Sequence, residues 1–305
     1  MKKLDFPNRI TIELTNRCNV SCSFCPRQSV NMELGDMDWN LYKKIIDEAS
    51  QHLPVAVVIF FRGESLLHPQ FIQCIEYAKA RGIGPIQFAS NALALSKEKA
   101  DLLLKSGIDF ISFSLDTLDK DIYARSRLTG DLEKSMENVI YLCERSKVLK
   151  ASGVGVPKIQ VSAVDLEEYR RGQEDFVKFW KKYVDVVRIY FEHDDSGHIV
   201  SKEIREYVRK CVGEERKPCR KVFTDFLIYW NGETALCNYD WNGYIKKYNV
   251  MNHSITEIWN SSEYEEIREM HREGRFNDEI MCKGCNHWQI DYMPDGFLGK
   301  KYEGI

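Results

Sequence analysis

Cys18-Asn19-Val20-Ser21-Cys22-Ser23-Phe24-Cys25 sets three thiols in a C-x3-C-x2-C pattern, directly after the apolar run Ile10–Leu14. A closed structural zinc site, or a cubane held wholly by protein, takes four protein ligands. Three thiols in one short loop therefore point to a four-iron cluster with one iron left for a ligand that is not protein. The rival reading is a zinc knuckle that borrows a distant fourth ligand.

Working outward from this loop, an α/β rhythm emerges. Leu41, Ile45, Ile46 and Ala49 recur at helical spacing behind Asp38, a good N-cap. Val55–Phe61 is continuously apolar and β-branched, as in a strand buried on both faces of a parallel sheet. Helices are predicted over Pro69–Arg81, Lys97–Lys105, Leu132–Ser146 and Gln173–Tyr183. The strands between them are predicted over Ile86–Ala89, Phe110–Leu115, Ile159–Val164 and Val186–Phe191. With Ile10–Leu14 this makes six strands alternating with helices, which requires right-handed crossovers and a parallel sheet, curved into a partial barrel. Chemistry in such folds gathers at the carboxyl ends of the strands, where the cysteine loop lies.

Beyond about Asp194 the rhythm stops. The polar segment to Pro218 carries a short helical piece, Ile204–Cys211, and reads as a linker or a substrate-side insertion. Phe226–Tyr229, Asn231-Gly232 and Thr234–Cys237 read as a hairpin. Ser262–Glu265 has a capping-box pattern opening a helix that Gly274 closes. A division into a core, residues 1–200, and a linker with a small α+β unit, residues 201–305, follows.

Composition supports an ordinary globular protein: 305 residues, 44% hydrophobic, 29% charged, net charge −3. No basic surplus points to nucleic acid, and no apolar run is long enough to span a bilayer. No apolar signal segment stands in Met1–Pro7. Of the ten cysteines, seven fall into two ligand-like groups, which suits metal in a reducing compartment and a cytoplasmic location. Cys219, Cys237, Cys282 and Cys285 form the second group, with Gly232 in the turn that would bring Cys219 and Cys237 together. Four thiolates close a coordination shell, and spacing alone leaves a complete cubane and structural zinc both open.

The C-x3-C-x2-C loop, with Phe24 before its last cysteine and Pro26 after it, resembles the radical SAM enzymes. The second cysteine group resembles the reduced SPASM, or twitch, domain that follows such cores. The resemblance implies one [4Fe-4S] cluster on Cys18, Cys22 and Cys25, whose open iron binds S-adenosyl-L-methionine (SAM). It implies an auxiliary [4Fe-4S] cluster on Cys219, Cys237, Cys282 and Cys285. Asn286–Ile290 carries no cysteine, so one auxiliary cluster is expected instead of the two of a full SPASM domain.

The family's Gly-Gly-Glu-Pro, which holds the SAM amino group, stands here as Arg62-Gly63-Glu64-Ser65; Gly63 and Glu64 carry over. The departure puts the Arg62 guanidinium at the mouth of the site, where it would suit a carboxylate or phosphate. Ser90 and Asn91, then Ser114 and Asp116, resemble positions touching the SAM methionine and ribose. Arg127 stands where the family often has an arginine for the SAM carboxylate, and Phe24 is expected near the adenine. Glu192-His193-Asp194-Asp195 is the densest polar group on the expected catalytic face, and Glu192 and His193 are its candidates for a base or a substrate-hydroxyl ligand. His68, before Pro69, reads as a helix cap.

What the resemblance implies chemically is a 5′-deoxyadenosyl radical that removes one hydrogen atom from substrate. The single-auxiliary-cluster layout is most similar to the radical SAM dehydrogenases of aminocyclitols such as 2-deoxy-scyllo-inosamine. There a secondary alcohol becomes a ketone and the second cluster accepts the second electron. A sugar or aminocyclitol-type small molecule, and a one-electron donor such as flavodoxin or ferredoxin, are the implied partners. The alternatives are a radical epimerase with Cys211 as hydrogen donor, Cys74 and Cys143 being core, and a peptide-modifying maturase. Reconstitution without oxygen should load roughly eight iron and eight sulfide per chain; zinc without sulfide would contradict both cluster assignments.

Overall fold

The computed structural model describes residues 1–192, 200–245, 247–278, 280–294, 296 and 299–304. Six parallel strands form in chain order: β1 (Arg9–Ile12), β2 (Ala56–Val58), β3 (Ile86–Ser90), β4 (Phe110–Ser114), β5 (Lys158–Val164) and β6 (Val186–Tyr190). The intervening helices are α1 (Trp39–Ala49), α2 (Phe71–Ala80), α3 (Lys97–Lys105), α4 (Lys120–Ser126), α5 (Leu132–Ala151), the single turn α6 (Glu167–Arg170) and α7 (Gln173–Trp180). Each strand lies beside its successor, the topology expected of a partial (β/α)6 barrel. The short helix α4 was not foreseen: Asp119 caps it by accepting from the amides of Asp121 and Ile122.

Alternation along the strands divides two environments. Ile111, Phe113, Ile159, Val161, Val187 and Ile189 are buried in the main apolar core. Their neighbours Ser112, Ser114, Gln160, Ser162, Arg188 and Tyr190 line a cavity of about 590 Å³ inside the curve of the sheet. The helices cover the outer face, α1 through Leu41, Ile45 and Ile46, α2 through Phe71, Cys74 and Ile75.

The second half of the chain continues the same sheet. After α8 (Lys202–Val212) and the turn α9 (Lys221–Thr224), β7 (Asp225–Ile228) pairs parallel to β1, and β8 (Thr234–Ala235) returns antiparallel to β7. The hairpin is thus present, with Gly232 at φ +82° in its turn, where a Cβ would meet the Asn249 side chain at 2.5 Å. Next come α10 (Ile255–Trp259) and α11 (Ser262–Glu273), and β9 (Gly299–Glu303) pairs antiparallel to β6 at the far edge. Ser261, not Ser262, caps α11 by accepting from the Tyr264 amide, and the reciprocal capping box belongs to Ser254 and Glu257 of α10. Gly274 closes α11 in the left-handed region. A second small core packs Val208 and Val212 of α8 with Trp288 and Met293.

Gly63 fixes how closely the loops after β1 and β2 approach. A Cβ there would lie 2.3 Å from the Thr15 carbonyl oxygen and 2.7 Å from that of Arg17. Gly63→Ala should therefore push the cysteine loop away, lowering stability by about 1–3 kcal/mol and reducing iron retained after desalting. Denaturant unfolding and iron analysis check this; unchanged values in both contradict it.

Candidate functional site

The cysteine loop leaves β1 and is braced on both flanks. Asn16 donates to the Glu33 carbonyl and accepts from the Gly35 amide, holding the loop's entry. The Ser21 amide donates to Thr129 Oγ1 and the Ser23 amide to the Ser126 carbonyl, tying its middle to the end of α4. Arg27 Nε donates to the Asn16 carbonyl, closing the far side. The three thiols are half-buried, and no disulfide engages any described cysteine. Burial raises the Cys18 and Cys22 thiols, Cys22 to about 11, and Cys25 as a thiolate would repel both. Such a trio ionises readily only around a cationic centre, the chemistry an iron–sulfur cluster supplies.

The loops after β2, β3 and β4 converge on the cysteine loop. Glu64 is buried; one carboxylate oxygen accepts from the Leu66 amide at 3.1 Å, the other from the Asn91 amide at 2.8 Å, while its own amide donates to the Arg17 carbonyl. Burial raises its pKa and the two amides pull it back. Asn91 Nδ2 donates to Asn19 Oδ1 at 2.9 Å and stands 3.9 Å from Cys18 Sγ. Ser90 Oγ accepts from the Ala92 amide. Asp116 adopts φ +62°, unusual for a residue with a side chain and frequent at functional sites. Its carboxylate takes Arg127 Nε at 2.7 Å and Nη2 at 2.6 Å, and accepts from the Val164 amide. Burial opposes charge on Arg127, but Asp116 and Cys22 outweigh it and the pKa is raised. Phe24 faces the same guanidinium at 5.8 Å. Phe24, Ser114, Asp116 and Arg127 all line the 590 Å³ cavity.

Arg62 requires a correction. Its guanidinium does not stand at the mouth of the site. It forms a buried bidentate pair with Glu13, Nε at 2.7 Å and Nη2 at 2.8 Å, and donates through Nη1 to the Trp241 carbonyl at 3.0 Å. It also lies 3.7 Å over the Tyr229 ring. With its fork occupied inside the protein, it braces the ends of β1 and β2 against the hairpin. His68 is not the cap of α2, whose N-cap is Gln70 with no side-chain cap bond. The His68 Nε2 lies 3.0 Å from the Met37 carbonyl oxygen and its Nδ1 accepts from the Gln70 amide, so its role is structural. Glu192 is half-buried two residues beyond Tyr190; His193, Asp194 and Asp195 lie outside the described residues. Cys74 and Cys143 are core, their thiols raised to about 12 by burial, and Cys211 is exposed on α8.

The other four cysteines meet at one place. Cys219, Cys237, Cys282 and Cys285 line a single cavity, with Arg216, His271 and Trp288 among its walls. Two backbone amides already donate to thiol sulfur, Tyr239 to Cys237 at 3.4 Å and His287 to Cys285 at 3.3 Å. Asp240 holds the Cys237 turn by accepting from the Leu236 and Tyr244 amides. Burial raises Cys219, Cys237 and Cys282, and the neighbouring thiols add to it, so this set too would ionise around a cationic cluster. Among the described residues no three Cys, His, Asp or Glu side chains converge on a point for one metal ion. Four cysteines lining one cavity make a donor set that a cubane can take.

The radical SAM superfamily model matches residues 12–169, more than half of the chain. The chain belongs to the radical SAM superfamily. The SPASM iron–sulfur cluster-binding domain model matches residues 219–286. Iron–sulfur clusters and SAM are accordingly its cofactors, and the donor sets just described fit them. A tungsten-containing aldehyde ferredoxin oxidoreductase cofactor-modifying protein of Pyrococcus furiosus is 36% identical over 109 residues, 35% of this chain and 30% of that protein. The mycofactocin maturase MftC of Mycobacterium tuberculosis is 25% identical over 186 residues, 61% of this chain and 45% of that one. The matched parts thus span less than half the length of these relatives. Among solved structures, Streptococcus suis SuiB bound to S-adenosylmethionine superposes with a TM-score of 0.69 at 16% identity, covering 94% of this chain and 72% of that one. BtrN in complex with AdoMet and 2-DOIA superposes with a TM-score of 0.60 at 18% identity, covering 94% of both chains. At such identities the likeness concerns the fold. No helix among the described residues is long and apolar enough to cross a membrane.

Residue-level reading of the sequence missed Gln160, Arg188 and Tyr190, although the alternation of Gln160 and Ser162 with apolar neighbours in β5 signals a polar inner face. It also missed Arg216 and His271, for which no local pattern exists. Removing one partner of a buried pair leaves the other charge stranded, so Arg62→Met should cost about 3–5 kcal/mol in denaturant unfolding. Unchanged stability with a raised KM would contradict the bracing role.

Proposed function

We propose that this radical SAM enzyme is a dehydrogenase that oxidises a secondary alcohol of a polyhydroxylated small molecule, of the sugar or aminocyclitol type. The observation that carries it is a continuity of walls. Arg9 and Phe60 border both the 590 Å³ cavity and a second cavity beside β1. Lys221, Leu236 and Cys237 border both that second cavity and the one lined by four cysteines. An alcohol held inside the sheet would thus face the second thiol set across one intervening cavity whose walls both share, a route for an electron. Bound at these sites, SAM and the two clusters would supply a hydrogen-atom abstractor and a one-electron acceptor.

The chain's own part is to bind the substrate, aim one carbon, and take the hydroxyl proton. Cys18, Cys22 and Cys25 would hold the first cluster, Cys219, Cys237, Cys282 and Cys285 the second. Gly63, Glu64, Ser90, Asn91, Ser114, Asp116, Arg127 and Phe24 are proposed to surround SAM. The substrate wall is polar. Gln160, 1% exposed, donates to Ser112 Oγ at 2.8 Å and to Tyr190 OH at 3.3 Å, while its Oε1 is buried with no partner among the described residues. An acceptor left so inside a cavity calls for a hydroxyl or amine from a ligand. Phe60, Phe88 and Phe110 line the cavity as well and would cover the C–H faces of a ring. The Glu192 carboxylate, two residues beyond the end of β6, is the proposed acceptor of the hydroxyl proton, and His193, next to it in sequence, is the other proposed candidate. Overall the alcohol loses one hydrogen atom, one proton and one electron, giving a ketone.

Some proteins of this fold bind peptides: SuiB was solved bound to the precursor peptide SuiA, and anSMEcpe with bound AdoMet and the Cp18Cys peptide. Epimerisation would need a thiol facing the substrate, and Cys211 is not among the residues lining the cavity. A screen of polyols and aminocyclitols with SAM and reductant should yield one deoxyadenosine per ketone. Gln160→Leu, which removes one hydrogen bond to the substrate, should reduce kcat/KM about 3- to 10-fold. Modified peptide with no ketone, or an inverted carbinol carrying solvent hydrogen, would contradict the reading.

A further inference from the structure

The wall of the four-cysteine cavity holds two buried N–H groups with no acceptor among the described residues. Cys219 donates its amide to His271 Nδ1 at 3.2 Å. A ring nitrogen that accepts carries no proton, so the proton of this imidazole sits on Nε2. His271 is 1% exposed, and Nε2 has no hydrogen-bond partner among the described residues. Arg216 donates through Nη1 to the Cys285 carbonyl and through Nη2 to the Cys282 carbonyl, which fixes its plane. Its Nε is also buried without a partner. The guanidinium is packed 5.1 Å from the Trp288 ring and 4.8 Å from that of Phe276, so it cannot swing to solvent without unpacking both. His271 and Arg216 both line the cavity between the thiols.

Buried donors are almost always paired, and two orphans on one wall need a shared explanation. The cavity they border is lined by four cysteines. We infer that His271 Nε2–H and Arg216 Nε–H donate hydrogen bonds to the sulfur of the auxiliary cluster, and that these two residues raise its reduction potential. They are positioning residues that act through the cluster. Hydrogen bonds to sulfur and a nearby positive charge favour the reduced, more negative state. A raised potential is what an acceptor of the substrate's electron requires. The inference rests on the assignment of a cluster to Cys219, Cys237, Cys282 and Cys285.

The test uses the full chain carrying Cys18→Ala, Cys22→Ala and Cys25→Ala, so that one cluster reports. Redox titration followed by electron paramagnetic resonance should show His271→Phe and Arg216→Met each lowering the midpoint. The expected shift is about tenfold in the reduction equilibrium, about 59 mV for one electron, with iron and sulfide content unchanged. His271→Gln, which keeps an N–H donor, should restore most of it. Midpoints that do not move, with the cluster intact, overturn the inference. Where a substitution costs the cluster, the parent chain labelled with ring-¹⁵N histidine and guanidino-¹⁵N arginine decides. Pulsed resonance should then find ¹⁵N coupled to the reduced cluster, and absence of coupling overturns the inference. A parent chain that binds no iron at this site fails earlier, in metal analysis, and overturns the cluster assignment and the inference together.

Discussion

Glu64 ties together the loops that follow three neighbouring strands. Its amide reaches Arg17 beyond β1, its own backbone leaves β2, and its carboxylate takes the Asn91 amide beyond β3. A carboxylate so buried is tolerated because both oxygens accept backbone amides. Gly63 beside it lets the backbones close to a distance no side chain would permit. The position of the three-cysteine loop relative to the sheet follows from this knot. So does the approach of Asn91 to Cys18.

Around the knot the sheet does two jobs with one alternation. Outward residues of β4–β6 enter the apolar core, and inward residues line a polar cavity. The same sheet then runs past β1 into β7 and β8, which carries Cys237 to a wall shared with the inner cavity. The division at residue 200 is therefore best taken as a proposal about which cluster each segment serves, since the hydrogen-bonded sheet crosses it. Glu13 and Arg62 hold that crossing, one at the end of β1 and one at the end of β2, both against the hairpin.

Much of this was legible in the residues. Six parallel strands followed from continuous or alternating apolar runs separated by helical periodicity, because burial on a sheet leaves that mark locally. The first thiol group was legible because its ligand spacing is short-range, and the family match bears out that reading. The second was legible through its C-x2-C end, the hairpin turn at Gly232 and the resemblance to a SPASM domain. Arg62 was misplaced because its partner, Glu13, lies 49 residues away and nothing in either neighbourhood announces the pair. The β7–β1 pairing escaped for the same reason: a parallel neighbour contributed from the far half of the chain leaves no local signature. Arg216 and His271 could not be found from sequence, since what distinguishes them is a missing partner, visible only when the cavity is assembled.

The most direct measurement is electron paramagnetic resonance of the reduced protein with and without SAM. The account predicts two cluster signals, of which one, lost in the Cys18→Ala, Cys22→Ala, Cys25→Ala chain, changes its g-values when SAM is added, while the other stays as it was. Two signals indifferent to SAM, or a SAM response that survives loss of the N-terminal thiols, would contradict it.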